Sequence, residues 1–279
     1  MDHSSRIAAQ SDPRPAGSPQ AGSTDAIDRE AIKAHFIAER GYWRPWTEAL
    51  LAHNPAFLQR YADYAGHPAR TGPLSERMVE LVYVALDSSA THLFPTGLQV
   101  HMTYALQAGA TPAEIFDVLH LVTLQGVDAV YQSVEVLAEE AGWAATGVGR
   151  VCPTRSDADG VIDRARLLVP GREQAIAWLH AVDPSYLAAL LDFVEHGRPA
   201  AQGLTPSDRA IVETALHSCF SGQNPTALRS VIRHALSLGV TDRELLQAIQ
   251  LGAHLSVHGA ALGAGTYAGM ASADDTHPA

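Results

Sequence analysis

Apolar positions recur with helical spacing along most of the chain. Met78, Leu81, Val82, Ala85 and Leu86 fall on one face of a helix predicted over about residues 74–89. A second helix follows over about 96–108. Gly109 closes it, a residue suited to the left-handed position after a helix end. Thr111-Pro112-Ala113-Glu114 reads as a third start, with Thr as cap, Pro at the first helical position and Glu placed to bond back to the cap. Ile115, Val118, Leu119 and Val122 supply its buried stripe, and a fourth helix is expected over about 127–141. Two shorter helices, about 45–51 and 55–65, precede this set. No segment alternates with period two, so the pattern predicts an all-α fold.

The same order returns later in the chain. Asn54-Pro55-Ala56-Phe57-Leu58 reads like Asp183-Pro184-Ser185-Tyr186-Leu187, and Ser75-Glu76-Arg77 like Ser207-Asp208-Arg209. The run from Ala105 through Gly109 to Thr111 reads like that from Ala235 through Gly239 to Thr241, and Glu114 aligns with Glu244. The offset stays near 130 throughout, which marks an internal duplication. Helices are expected again at about 173–181, 184–196 and 257–270, the last rich in Ala and Gly and therefore suited to close packing. The division implied is a disordered tail over 1–25, a first helical domain over 26–145, a linker over 146–170 with at most a helical turn, a second, diverged domain over 171–270, and a tail over 271–279.

Composition narrows the possibilities. The 279 residues are 47% hydrophobic and 18% charged, enough for a large core without disulfides. A net charge of -11 and a pI near 5.6 argue against nucleic acid, which requires a basic face, and against an anionic membrane surface. Two isolated cysteines, Cys152 and Cys219, fit a reducing compartment. The residues after Met1 are polar, and no run approaches the roughly 18 apolar residues of a membrane span. A cytoplasmic protein is expected. No glycine-rich phosphate loop follows a strand, and Gly-x-Ser-x-Gly is absent.

The run Leu74 to Leu81, then His101 eight residues before Gly109, then Gly109-Ala110-Thr111 and Glu114-Ile115 resembles the carboxymuconolactone decarboxylase family, which includes the alkylhydroperoxidase D-like proteins. The resemblance covers about 50–142 well and about 180–270 more weakly. It implies two tandem units of that helical type, a small-molecule substrate, no cofactor or metal, and a homo-oligomer, because members form trimers or hexamers. The departures are specific. The peroxidase branch carries Cys-x-x-Cys seven and four residues before the histidine, where this chain has Phe94 and Gly97. No thiol stands there to attack a peroxide. In the second copy Val231 occupies the position of His101, and His234 that of Tyr104.

The resemblance and the residue chemistry together select candidates. His101 is the expected general acid/base, since imidazole titrates near neutrality. Glu80, about where the peroxidase branch keeps its glutamate, is expected to orient it. His92, in the turn after Asp87-Ser88-Ser89-Ala90-Thr91, is expected to come near His101 as a second proton donor or an electrostatic clamp, though two histidines and a carboxylate meeting there could instead hold a metal. Tyr83, Asp87, Tyr104 and His120 are expected to contact substrate. His254 and His258 have a metal-ligand spacing, but no third ligand is identifiable from sequence. Glu114 and Glu244 are assigned to helix capping and Cys219 to the core. The expected activity is a cofactor-free lyase, decarboxylase or isomerase acting on a small carboxylated lactone or carbonyl compound. The alternatives are a thiol-independent or vestigial alkylhydroperoxidase-like protein and a non-catalytic oligomeric ligand-binding protein.

Overall fold

The computed structural model describes residues 28–148, 160–168, 172–199 and 201–274. The tail expected over 1–25 lies outside them, as do Cys152 and residues 275–279 of the tail expected over 271–279, whose residues 271–274 are instead helical. The described residues contain helices and no strand. The helices are α1 (Arg29–Arg40), α2 (Pro45–His53), α3 (Pro55–Thr71), α4 (Glu76–Ser88), α5 (Pro95–Gln107), α6 (Pro112–Glu140), α7 (Trp143–Thr146), α8 (Val161–Leu168), α9 (Glu173–Val182), α10 (Pro184–His196), α11 (Pro206–Ser218), α12 (Pro225–Ser237) and α13 (Asp242–Ala253). A 3₁₀ turn, His254–Ser256, then leads into α14 (Val257–Asp274).

Local chemistry sets the boundaries. The capping boxes are present as the sequence suggests: Thr111 with Glu114 starts α6, and Thr241 with Glu244 starts α13. Gly109 and Gly239 follow α5 and α12 at φ +93° and +87°, where a side chain would be strained.

Three expectations change. α1 has no counterpart among the predicted helices. It is capped by the Asp28 side chain, which accepts from the Ala31 N–H at 2.9 Å. The region expected as a linker contains α8, which packs on α9 and α10. The third and fourth helices of the first copy are one continuous helix, α6, running through Gly126. A lone glycine costs a helix only about 1 kcal/mol, and packing of the second half of α6 on α9 outweighs that. In the second copy the equivalent helix is interrupted at His254–Ser256.

The units interlock. α4 is buried nearly all round, from Met78 to Asp87. With α6, α11 and α13 it forms a central core in which Leu81, Leu86 and Leu121 meet Val212, Leu216 and Leu251. Two smaller cores flank it, each completed by a helix from the other copy. Phe36, Leu58 and Tyr61 of α1 and α3 take Val257 of α14. Ile176, Leu187 and Leu191 of α9 and α10 take Tyr131 of α6.

A pair of buried side chains repeats this pseudo-twofold relation. Gln247 accepts from the Leu74 N–H at 2.7 Å and donates to the Pro68 carbonyl at 2.8 Å. Asp117, in the matching place, accepts from the Leu204 N–H at 2.9 Å. Replacing Gln247 with Leu would leave the Leu74 N–H and the Pro68 carbonyl without this partner in the interior, each worth about 1–3 kcal/mol. A lowered urea midpoint with an unchanged m-value is the expected readout.

Candidate active site

The candidate site forms where α4 and α5 of the first copy meet α1 and α14. Glu80, Tyr83 and Asp87 lie along one face of α4, three and four residues apart. α5 brings His101 to that face. Its Nδ1 lies 2.7 Å from Glu80 Oε2, so an ionised Glu80 accepts the Nδ1–H and leaves Nε2 free to act. The Tyr83 ring packs 4.5 Å from the His101 ring, and His254 closes the other side of Tyr83 at 5.5 Å. Arg40 is held by the Ala65 carbonyl at 3.0 Å and by His254 Nε2 at 3.5 Å. Glu80, Tyr83, His101, Arg40 and His254 line a cavity of about 750 Å³, together with Arg44, Tyr104 and His258.

Two expected residues lie behind this wall. Asp87 is fully buried and His92 nearly so, and neither lines the cavity. The turn from Thr91 to Pro95 is shaped by Leu93 at φ +45°, the one non-glycine residue with positive φ among those described. The Phe94 N–H closes it on the Asp87 carbonyl at 2.9 Å. The turn aims His92 Nε2 at His258 Nδ1, 2.8 Å away. His258, stacked on Phe94 at 3.7 Å, takes the cavity-facing place expected for His92. Asp87 Oδ1 stands 3.6 Å from His92 Nε2 and Oδ2 3.9 Å from His101 Nε2. The ligand atoms of Asp87, His92 and His258 all fall within 4.8 Å of one another, so these three side chains could hold a metal ion.

His120 is not part of the site. It is buried against α10, where its Nε2 lies 3.1 Å from the Phe193 carbonyl. It lines neither this cavity nor the one in the second copy, although substrate contact was expected of it.

Burial and charge sort the histidines. Burial pushes the Asp87 carboxyl up to about 7, against the pull of His101 and with help from Glu80. Burial, followed by repulsion from His92 and His101, drives His258 down to about 3. Burial and Arg40 hold His254 well below the usual imidazole range. Near pH 7 His254 and His258 are therefore neutral and poor proton donors. His101 differs from both in having a carboxylate, Glu80, within hydrogen-bond distance.

A second cavity of about 380 Å³ occupies the pseudo-symmetric position. Its wiring is inverted. His217 stands where Asp87 does, with the Asn224 N–H on its carbonyl at 2.9 Å. Asp128 stands where His258 does, 3.2 Å from His217 Nε2. Ala210 and Val231 replace Glu80 and His101, so the dyad is missing there. Glu213, on this cavity wall, is pushed up to about 7 by burial, with Arg209 opposing. A carboxyl whose folded pKa is raised stabilises fully below its unfolded pKa, and that contribution is lost as pH rises through the folded value. From about pH 4.5 to about pH 7, the wild type should lose thermal stability that Glu213→Gln retains, read as a flatter plot of Tm against pH.

Among the described residues the protein is all-α, with the Glu80–His101 pair on the wall of a cavity. Residues 55–139, which span most of the first unit, match the model of the carboxymuconolactone decarboxylase family. The whole fold is similar to a solved structure from Burkholderia xenovorans LB400, a protein provisionally assigned as a gamma-carboxymuconolactone decarboxylase subunit. The TM-score is 0.76 at 23% identity, over 88% of this chain and 98% of that one. No curated protein matches the sequence. No described helix is long and apolar enough to cross a membrane.

Arg40, His254 and His258 complete the site and escape a sequence reading of function. Arg40 and His254 are 214 residues apart and meet only because α14 crosses onto the first copy. The spacing of His254 and His258 was the available signal, but the 3₁₀ turn sends them to different partners. His254 goes to Arg40 and His258 to His92.

Proposed function

We propose that the chain is a lyase or isomerase of the carboxymuconolactone decarboxylase type, acting by histidine-centred acid–base chemistry on a small carboxylated lactone or carbonyl compound. The observation that carries this reading is the Glu80–His101 pair, 2.7 Å apart, on the wall of a cavity also lined by Arg40 and Arg44. The arginines suit a substrate carboxylate. Loss of CO2 from a carboxylated γ-lactone breaks a carbon–carbon bond, and the electron pair moves into the ring as an enolate. The enolate then takes a proton at carbon, which shifts the double bond. His101 delivers that proton through Nε2, while Glu80 fixes its tautomer and supports the imidazolium. Tyr83 packs on the ring and restricts its rotation. The positions that carry a redox thiol pair in the peroxidase branch are Phe94 and Gly97, and Cys219 is buried in the central core, which weighs against thiol peroxidase chemistry.

The test is turnover in D2O of γ-carboxymuconolactone and related carboxylated lactones, following CO2 and deuterium at carbon. CO2 release with one deuterium incorporated supports the reading. No substrate loss across the panel at stoichiometric protein counts against it. Exposed Leu262, Tyr267 and Met270 on α14 give a surface for the homo-oligomer that the reading includes, which sedimentation would detect.

A further inference from the structure

We infer that Asp87, His92 and His258 form a binding site for a divalent first-row transition ion, which ties α14 to the turn between α4 and α5. This departs from the expectation of a site without metal. It goes beyond the lyase reading and does not depend on it.

The donor set comes first. One carboxylate and two imidazoles converge, with all their ligand atoms within 4.8 Å. In a tetrahedral site with bonds of about 2.1 Å, neighbouring donors lie about 3.4 Å apart. Here His92 Nε2 is 3.6 Å from Asp87 Oδ1 and 2.8 Å from His258 Nδ1. These two spacings bracket the coordination value, and the third lies within 4.8 Å. Mixed imidazole and carboxylate donors suit zinc, iron, cobalt or manganese rather than calcium or magnesium.

The second observation is independent of that spacing. Both oxygens of Asp87 are buried and have no hydrogen-bond partner. Their residue is fully buried, and Oδ1 faces this cluster. A buried carboxylate without donors costs several kcal/mol. A proton on Asp87 would remove the charge but leave its O–H without an acceptor in hydrogen-bond range. A cation bound between Asp87 and the two histidines satisfies the carboxylate and both ring nitrogens at once. The Phe94 ring, stacked on His258 at 3.7 Å, fixes that imidazole. Outward of the cluster, His101 stands next to the other Asp87 oxygen at 3.9 Å, and its Nδ1 is already bonded to Glu80. An ion there would put positive charge beside the proton-transfer residue, the role expected of His92.

The site joins parts of the chain far apart in sequence, since His92 and His258 are 166 residues apart. Metal binding should therefore raise the unfolding temperature as well as register as uptake. The probe is Co2+, added to protein first dialysed against a chelator and read by visible absorption and calorimetry. One Co2+ per chain is expected, displaced by Zn2+, with Tm raised by about 5 °C at saturation. His92→Ala and His258→Gln should each weaken binding about 100-fold or more, while His35→Ala, in an exposed pair with Asp63, should not. Wild-type protein that takes up neither Co2+ nor Zn2+ stoichiometrically overturns the inference, as does uptake unchanged in both His variants. Where a variant fails to fold, paramagnetic broadening of the His92 and His258 ring signals by Co2+ in the wild type decides. Broadened rings support the site and unbroadened rings overturn it.

Discussion

Replacing Asp117 with alanine is expected to lower the unfolding free energy by about 3–5 kcal/mol, the usual cost of breaking a buried ion pair from one side. Asp117 is fully buried on α6 and gathers three partners from the second copy. Arg198 donates to it at 2.9 and 3.3 Å, Arg209 donates to it as well, and so does the Leu204 N–H at 2.9 Å. Arg198 is more than a third exposed, so water recovers most of its share. Arg209 and the Leu204 N–H are the groups left stranded. Asp117→Asn keeps an acceptor for Leu204 and should cost less. Burial disfavours the charge on Asp117, but Arg198 and Arg209 prevail and hold the carboxyl below its usual range. A depressed carboxyl stabilises above its unfolded pKa, and the contribution is lost as pH falls through the folded value. The alanine variant should therefore lack part of the acid-induced loss of stability. Urea titrations at pH 7 and pH 3 measure both effects.

Much of the fold could be read from local signals. Capping boxes at Thr111 and Thr241, the glycines after α5 and α12, and the apolar stripe from Met78 to Leu86 all act within one turn of their own residues. The repeat followed from matches at one offset. The continuity of α6 did not, because the gain that carries it through Gly126 comes from α9, a tertiary contact. The same limit applies to the site. Glu80 and His101 share one helical hairpin, so their meeting was foreseeable. The burial of His92 behind His258 depends on α14 crossing from the far end of the chain. No spacing encodes that crossing. His120 shows the reverse case: a polar residue among leucines suggested substrate contact, and the structure buries it against α10 with Nε2 at the Phe193 carbonyl.

The largest effect on chemistry is expected at His101. Removing a general acid typically costs 10²–10⁴-fold in rate. His101→Gln keeps a hydrogen-bonding group near Glu80 but cannot deliver a proton as imidazolium does. His101 is partly exposed to the cavity, so the variant should stay folded, with Tm within a few degrees of wild type. Glu80→Gln should act through His101, lowering kcat less than His101→Gln does and moving the pH profile of kcat. His217→Gln, in the second cavity, should leave the rate near wild type, because that cavity lacks the dyad. The decisive measurement is kcat for carboxylated-lactone turnover in wild type and His101→Gln, followed as CO2 release on protein shown to be folded. A fall of about 100-fold or more is predicted; turnover in the variant within about twofold of wild type would contradict the assignment of the proton-transfer role to His101.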